Sequence, residues 1–212
     1  MARTIVLLLI ASLFIIAPAV WAQDDRANEV GLLLGAVVTP DLTLSSPPGG
    51  RTEFAAGLTF QATYARRLAR FPLAQLSLEI PFLAAPSVDV RSSNVDVPSE
   101  YASLFITPGL RVKLAPEAAL SPWFSVGGGY ARFREADQRQ DNTPNPGRIG
   151  RNTGALQFGG GVDIRTPVSI LFPISLRLEV RDVYSGKPTY NTDTGGSFQH
   201  NVVFSGGFVV HF

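Results

Sequence analysis

The stretch ISLRLEVR, residues 174–181, alternates apolar and polar side chains without a break. Its even-numbered side chains are all aliphatic, whereas its odd-numbered side chains are serine, arginine, glutamate and arginine. Because successive side chains of a β-strand point to opposite faces, the segment predicts a strand with one apolar and one charged face. In a soluble sandwich the apolar face would point to the core, whereas in a membrane barrel it would point to lipid.

Seven further segments alternate in the same way, and helical periodicity is poor beyond the N-terminal segment. The two least regular are 29–38, which is almost wholly apolar, and 123–134, which has three glycines at its centre. The predicted strands are Glu29–Val38, Phe54–Tyr64, Ala74–Phe82, Ala102–Leu114, Trp123–Arg134, Gly154–Arg165, Ile174–Arg181 and Asn201–Phe212. The predicted fold class is therefore all-β, with eight strands.

The connections between these segments alternate between long and short. The long, polar connections are 39–51, 85–99, 135–151 and 186–197, and the shorter ones lie near 66–72, 115–121 and 166–173. This sorting is typical of an antiparallel up-and-down transmembrane β-barrel with long extracellular loops and short periplasmic turns. The main rival is a soluble barrel of the lipocalin type, which gives no reason for connections sorted by length.

The composition agrees with a membrane barrel. Charged residues make up 17 % of the chain, against about 25 % in typical soluble domains. The absence of cysteine rules out disulfides, thiol nucleophiles and cysteine-ligated metals. A formal charge of +1 argues against a nucleic-acid-binding surface. Aromatic residues near strand ends suggest interface girdles: Tyr64, Phe71, Trp123, Tyr130, Tyr184 and Phe212.

The first 22 residues have the features of a cleaved secretory signal peptide. Arg3 precedes an apolar run over 5–17, Pro18 interrupts it, and small residues stand at the peptidase-read positions Val20 and Ala22. The apolar run is short for a membrane-spanning helix, which needs about 20 residues. We therefore expect two units, a signal peptide at 1–22 and a barrel domain at 23–212, the latter without formal net charge.

The last eight residues, SGGFVVHF (205–212), look like the assembly signal of bacterial outer-membrane barrels. The matching positions are Ser205, Gly207, Val210 and Phe212. With the eight strands and the leader, the chain resembles the small eight-stranded outer-membrane barrels of the OmpA-like transmembrane-domain superfamily over essentially all of residues 23–212. We see no peptidoglycan-binding domain after the barrel, so a cell-wall tether is not implied.

The resemblance implies an integral protein of the outer membrane of a Gram-negative bacterium, exported through the periplasm. Its expected partners are outer-membrane lipid, lipopolysaccharide and, through the C-terminal strand, the barrel-assembly machinery. We expect a monomer that binds no nucleic acid, cofactor or metal.

Charged residues collect on the parity that would face the barrel lumen. An eight-stranded barrel is just wide enough for its own side chains to fill, so these residues should pair in a salt-bridged interior. The alternative is a narrow, mildly anion-selective path for small solutes or ions. The predicted lumen residues are Glu79, Arg111, Lys113, Asp163, Arg165, Arg177, Glu179 and Arg181.

The function predicted from these patterns is structural: outer-membrane integrity or surface interaction. A narrow pore and an adhesion module that binds through the long loops remain alternatives. A lipid A-modifying enzyme is the weakest candidate, because the chain has two histidines and neither a His-x-Ser pair nor a Gly-x-Ser-x-Gly elbow. We therefore expect no enzymatic activity and no catalytic residues.

Overall fold

A computed structural model describes residues 26–44, 50–169, 172–192 and 196–212, apart from the side chains of 168 and 169. The predicted signal peptide, 1–22, lies outside the described residues. The described part of the chain forms strands only. The strands are β1 (Asn28–Val38), β2 (Leu42–Thr43), β3 (Arg51–Phe54), β4 (Gly57–Arg70), β5 (Ala74–Ser92), β6 (Glu100–Ile106), β7 (Gly109–Leu114), β8 (Leu120–Glu135), β9 (Gly150–Ser169), β10 (Pro173–Gly186) and β11 (Phe198–His211).

The strands close into one antiparallel barrel. Around the wall the order is β1, β4, β5, the pair β6 and β7, β8, β9, β10 and β11, and β11 pairs with β1 to close the ring. β6 and β7 both pair with β5 and β8, so they form a single wall segment. Over the described residues the wall thus has eight segments, which confirms the predicted fold class.

The predicted strand 102–114 is broken in two between β6 and β7. The break falls at Thr107 and Pro108, and Pro81 lies on the neighbouring β5. Proline has no N–H to donate to a ladder. The carbonyl of Pro81 still accepts a hydrogen bond from Thr107 N at 3.3 Å, and the carbonyl of Pro108 accepts one from Gly128 N at 3.1 Å. The parity is kept across the break, because Phe105 and Arg111 both point inward.

The two ends of the barrel differ as the connection lengths predict. The turn end carries the short connections 71–73 and 115–119, and Pro173 pairs with Ser169 beside the third. The loop end carries 93–99, 136–149, the described residues 187–192 and 196–197, and the paired strands β2 and β3. Several strands run past their predicted ends, as β5 does to Ser92, because they continue to pair where the alternation of apolar residues has faded.

The outer face of the barrel is an apolar belt. Described residues of even number along most strands are exposed although they are large and apolar. They include Leu32, Leu34, Leu58, Phe60, Leu78, Phe82, Leu110, Val112, Phe124, Val126, Leu156, Phe158, Leu178, Val180, Phe204 and Phe208. Soluble proteins rarely expose so much contiguous apolar surface, whereas a lipid-facing barrel requires it. The described residues contain no helix long and apolar enough to cross a membrane.

Glycine allows the seam between the first and last strands to close tightly. Gly207 on β11 pairs with Leu33 on β1. A Cβ atom at Gly207 would lie 2.1 Å from the carbonyl oxygen of Leu32, closer than any side chain can approach a backbone atom. The seam therefore depends on the missing side chain.

Two aromatic residues do not lie where the sequence predicts them. Trp123 was expected in an interface girdle, but it is fully buried inside the barrel. Phe54 shares its even number with lipid-facing Leu58 and Phe60, which predicts the outer face, but its ring packs 6.0 Å from that of Tyr101 and 5.6 Å from that of Tyr190. The Trp123 prediction is wrong because a position near a strand end does not decide the face: Trp123 shares the inward parity of Ser121 and Ser125. The Phe54 prediction is wrong because the inward parity reverses at 55–56, between β3 and β4.

Candidate functional site

The turn half of the barrel interior holds a network of buried charges, here called the ion network. Each member is at most 6 % exposed, and four cations face four carboxylates. Buried charges are tolerated only when they are paired and hydrogen-bonded, so this balance is a condition for the interior to be stable. The members are Glu29, Glu79, Arg111, Lys113, Asp163, Arg177, Glu179 and Arg181.

The part of the network nearest the turn end is built around Arg177. Its Nε and Nη2 donate to the two carboxylate oxygens of Asp163 at 2.6 and 2.8 Å. Nη2 also lies 3.3 Å from Glu29 Oε2, which Arg111 binds as well. Lys113 Nζ bridges the two acids, at 2.9 Å from Glu29 and 2.6 Å from Asp163. Charge-assisted, two-pronged bonds of this kind are among the strongest polar contacts in proteins.

Nearer the middle of the barrel the network is built around Arg181. Its Nη2 lies 2.7 Å from Glu79 Oε1, and its Nε lies 2.6 Å from Glu179 Oε1. Gln61 from β4 donates to the same Glu179 oxygen at 2.6 Å. These contacts join β4, β5 and β10 across the interior, so the network links strands that are not neighbours in the wall.

Trp123 packs against the guanidinium groups of all three arginines of the ion network. The centre of its ring lies 5.7 Å from Arg111 and 5.1 Å from both Arg177 and Arg181. Cations at this distance from an indole face are attracted by its π electrons. Gly161, its pairing partner on β9, provides the space, because a Cβ there would lie 2.7 Å from the indole.

Seven of the eight predicted lumen residues lie in this network, and the eighth, Arg165, lies at its turn-end opening. The side chain of Arg165 is 52 % exposed at the turn end, where Nη2 donates to the carbonyl of Pro116 at 3.1 Å. The network member that the sequence reasoning missed is Glu29. Its odd number in β1, shared with buried Leu33 and Val37, was the signal that would have found it.

The inclusion of Glu29 instead of Arg165 changes the formal charge of the interior. The predicted set had five cations and three carboxylates, whereas the observed set has four of each. The anion-selective path was based on that excess of positive charge. The observed network has no formal excess, so its charges complement one another instead.

The loop half of the interior contains a packed apolar cluster, here called the apolar plug, beside buried polar side chains such as Gln157, Gln199 and Asn201. Barrel lumens are usually polar, so a packed apolar cluster inside this wall is a distinct feature. It consists of Val37, Leu83, Ala85, Val88, Val90, Val97, Tyr101, Phe105, Ala131, Phe133, Ala155, Val183, Tyr190 and Val203. The ring of Phe133 lies 6.1 Å from that of Tyr101 in a tilted contact and 5.7 Å from that of Phe105 in an edge-on contact, as packed aromatic side chains prefer.

Tyr190 belongs to the plug although it lies in the connection between β10 and β11. Glu135 at the end of β8 holds this connection: one oxygen accepts bonds from Thr189 N at 2.6 Å and Tyr190 N at 3.0 Å. Tyr190 and Asn191 have φ values of 52° and 54°, a left-handed backbone that costs non-glycine residues about 1 kcal/mol each. Burial raises the pKa of the Tyr190 phenol well above its ordinary value, so the ring stays neutral in the plug.

Three residues of the predicted assembly signal lie in β11, and the fourth, Phe212, directly follows it. Ser205 points inward and donates to Glu179 at 3.3 Å, Gly207 forms the seam, and Val210 pairs with Val30 and Ile174. Phe212 exchanges two backbone hydrogen bonds of 2.9 Å with Asn28. Recognition of these residues by an assembly machinery stays a prediction.

His200 has a carboxylate partner on the outer face near the loop end. Its Nδ1 lies 2.7 Å from Asp182 Oδ2, and the imidazole packs 4.9 Å from the ring of Tyr184. On this face of β11 the neighbours of His200 are Phe198 and Val202. The strand therefore places no hydroxyl group beside the dyad. The described residues contain no group of three or more His, Cys, Asp or Glu placed to hold a metal.

Comparison with solved structures identifies the architecture. Neisserial surface protein A (NspA) superposes with a TM-score of 0.54 and 12 % identity, over 87 % of this chain and 97 % of that protein. The outer membrane protein OprG from Pseudomonas aeruginosa gives 0.53 and 14 %, over 90 % and 98 %. This chain has the fold of a small outer-membrane β-barrel. At these identities the likeness shows the fold of the outer-membrane barrels and not their individual roles.

The outer membrane enzyme PagL is a more distant match, with a TM-score of 0.41 and 13 % identity over 84 % of this chain and 97 % of that enzyme. Such a score is too low to carry an argument about activity. No protein-family model and no curated protein matches the chain.

Proposed function

We propose that this chain is an integral β-barrel of the outer membrane of a Gram-negative bacterium, that its interior is closed and that its role is structural. The apolar belt supports the membrane location, because a charge on that face would cost about 2–4 kcal/mol at the bilayer midplane. All eight charges of the ion network point inward instead. Lipid and lipopolysaccharide are then the surroundings of the belt and of the loop end.

The apolar plug is the observation that carries the structural role. A conducting path needs water along its whole length, and the plug packs apolar side chains that are at most 6 % exposed inside the loop half. The ion network fills the turn half, where each cation bonds to a carboxylate. Ions would have to displace both layers in order to cross.

Planar-bilayer recording tests this proposal directly. The refolded protein should insert without stepwise conductance above the bare bilayer, while a general porin refolded by the same protocol gives its usual steps. A heat-modifiability gel on the same sample shows that the barrel is folded. Reproducible, long-lived conductance steps from folded protein would refute the closed interior and favour the narrow pore.

Surface interaction is a second candidate, favoured by the way the long connections hold one another. Arg139 pairs with Asp96, and Asn191 Nδ2 donates to the carbonyl of Asp96 at 2.9 Å and to Asn145 Oδ1 at 2.8 Å. Three connections thus form one joined surface at the loop end. A surface that is already ordered loses less entropy when it binds a partner.

Replacing 141–144 with a Gly-Ser linker tests the second candidate, because it keeps Arg139 and Asn145. The variant should fold normally on a heat-modifiability gel. Cells that express the parent chain should adhere to epithelial cells better than cells with empty vector, and the variant should lose this gain. Equal adherence of parent and vector would reject the adhesion function.

We propose no hydrolytic activity for the His200–Asp182 dyad, because acyl transfer also needs a nucleophile within reach of the base. The refolded chain should release no fatty acid from purified lipid A, and neither should the His200→Asn variant. Release by the parent and not by His200→Asn would contradict this and establish an enzyme.

A further inference from the structure

A cavity of about 490 Å³ adjoins the ion network at the turn end. Exposed side chains such as Arg26, Arg70 and Glu117 line it, so it opens to solvent. Three carboxylates contribute to the lining: Glu29, Glu117 and Asp163. The basic side chains in the lining are Arg26, Arg67, Arg70, Lys113, Arg165 and His211.

Two of these carboxylates already neutralise cations on the inner side. Glu29 contacts Arg111, Lys113 and Arg177, and Asp163 contacts Lys113 and Arg177. Their charge is therefore compensated within the network. The lining as a whole carries five formal positive charges against three negative ones, with His211 neutral, so the cavity has an excess of positive charge.

The third carboxylate, that of Glu117, indicates which ligand chemistry the solvent-exposed opening of the cavity accepts. Glu117 lies in the connection between β7 and β8, and its two oxygens face different arginines. Arg70 from β4 donates to Oε1, and Nη2 of Arg165 from β9 lies 3.6 Å from Oε2. One anion with oxygens on two sides can thus contact guanidinium groups that come from separate wall segments.

The contacts of Glu117 are exchangeable. Its side chain is 67 % exposed, and those of Arg70 and Arg165 are 44 % and 52 % exposed. Solvent-exposed ion pairs contribute little stability, because water and salt screen them and the long side chains lose entropy. An external anion of higher charge can therefore compete with Glu117 for both arginines.

We infer that the turn-end cavity binds a phosphate group, which displaces Glu117 from Arg70 and Arg165. A phosphate monoester carries up to two charges and three free acceptor oxygens, and a phospholipid phosphodiester carries one charge and two free oxygens. Guanidinium groups bind both through paired N–H donors. The positive lining supplies the remaining attraction. The phosphate is that of a phospholipid headgroup or of a soluble phosphate compound. This site goes beyond the structural role proposed above.

Titration with inorganic phosphate tests the site, using protein refolded in maltoside detergent, which contains no phosphate, at constant ionic strength. Calorimetry should show saturable binding. Arg70→Gln combined with Arg165→Gln should weaken the affinity at least tenfold, and Glu117→Gln should strengthen it at least threefold, because the competing carboxylate is gone. Arg148→Gln, an exposed arginine of the loop end, is the matched control and should leave the affinity unchanged.

Mixed micelles then distinguish the two sources of phosphate. If short-chain phosphatidylglycerol weakens phosphate binding more than laurate of equal charge does, the headgroup competes for the site and a lipid is the ligand. If both amphiphiles act alike, the ligand is a soluble phosphate compound. Non-saturable binding, or equal affinities for the parent, the double variant and Glu117→Gln when all are folded on a gel, would overturn the inference.

Discussion

Replacement of Arg177 by methionine should strongly destabilise the barrel, whereas the same replacement at Arg165 should have little effect. Arg177 is 1 % exposed and holds Asp163 through two bonds of 2.6 and 2.8 Å. Its loss leaves four buried carboxylates facing three cations. Removing one partner of a buried ion pair typically costs about 3–5 kcal/mol, because the remaining charge stays desolvated.

The control residue has the same side chain in a different setting. Arg165 pairs with Glu117 at 3.6 Å across solvent, and its side chain is 52 % exposed. Exposed pairs contribute about 0–1 kcal/mol, so Arg165→Met should lower the free energy of unfolding by no more than that. Both residues belong to the sequence-predicted lumen set. The comparison therefore distinguishes a residue buried in the ion network from an exposed residue at the turn end.

Urea unfolding of the refolded protein, followed by far-ultraviolet circular dichroism in detergent, provides the measurement. A double variant with Arg177→Met and Asp163→Leu removes one charge of each sign and restores the balance. It should be more stable than the sum of the two single effects predicts, by at least about 1 kcal/mol. Equal losses for Arg177→Met and Arg165→Met, or strictly additive effects in the cycle, would refute the charge-balance argument.

Three further variants test other parts of the barrel. Glu135→Ala removes the acceptor of the Thr189 and Tyr190 amides, and an unpaired buried amide costs about 1–3 kcal/mol. Limited proteolysis should therefore cut the connection between β10 and β11 faster than in the parent. Gly207→Leu should prevent closure of the seam, seen as loss of the heat-modifiable form, whereas Gly154→Ala, which has open space around it, should fold normally. Phe212→Ala should lower the amount of folded protein in the membranes of growing cells and leave refolding in detergent almost unchanged; equal amounts in cells would remove the assembly role.

The architecture follows from local pattern, and that is why the sequence predicted it well. In a membrane barrel every wall residue has only two environments, and the period of two assigns side chains to them. Residues 174–181 show this clearly: Arg177, Glu179 and Arg181 are buried, while Leu178 and Val180 are exposed. Connection lengths then determine which ends of the strands meet, without any knowledge of packing.

The interior was harder to predict, because it depends on which distant side chains meet across the lumen. Glu29 stands in an apolar segment and looks like a strand end, yet it contacts Arg111, 82 residues away in the chain. Trp123 looks like a girdle residue until Gly161 on another strand provides its space. The parity of β1 indicates that Glu29 faces inward, but the neighbouring sequence does not show which distant partner either residue contacts.

The sequence by itself determined the eight wall segments, their inner and outer parities and the sorting of the connections, because these depend on the alternation of neighbouring side chains. Only the tertiary structure decided that the ion network is neutral, that Tyr190 closes the loop half and that Arg165 lies at the mouth. Charge balance and packing depend on distances between strands far apart in the chain, and those distances exist only once the barrel has closed.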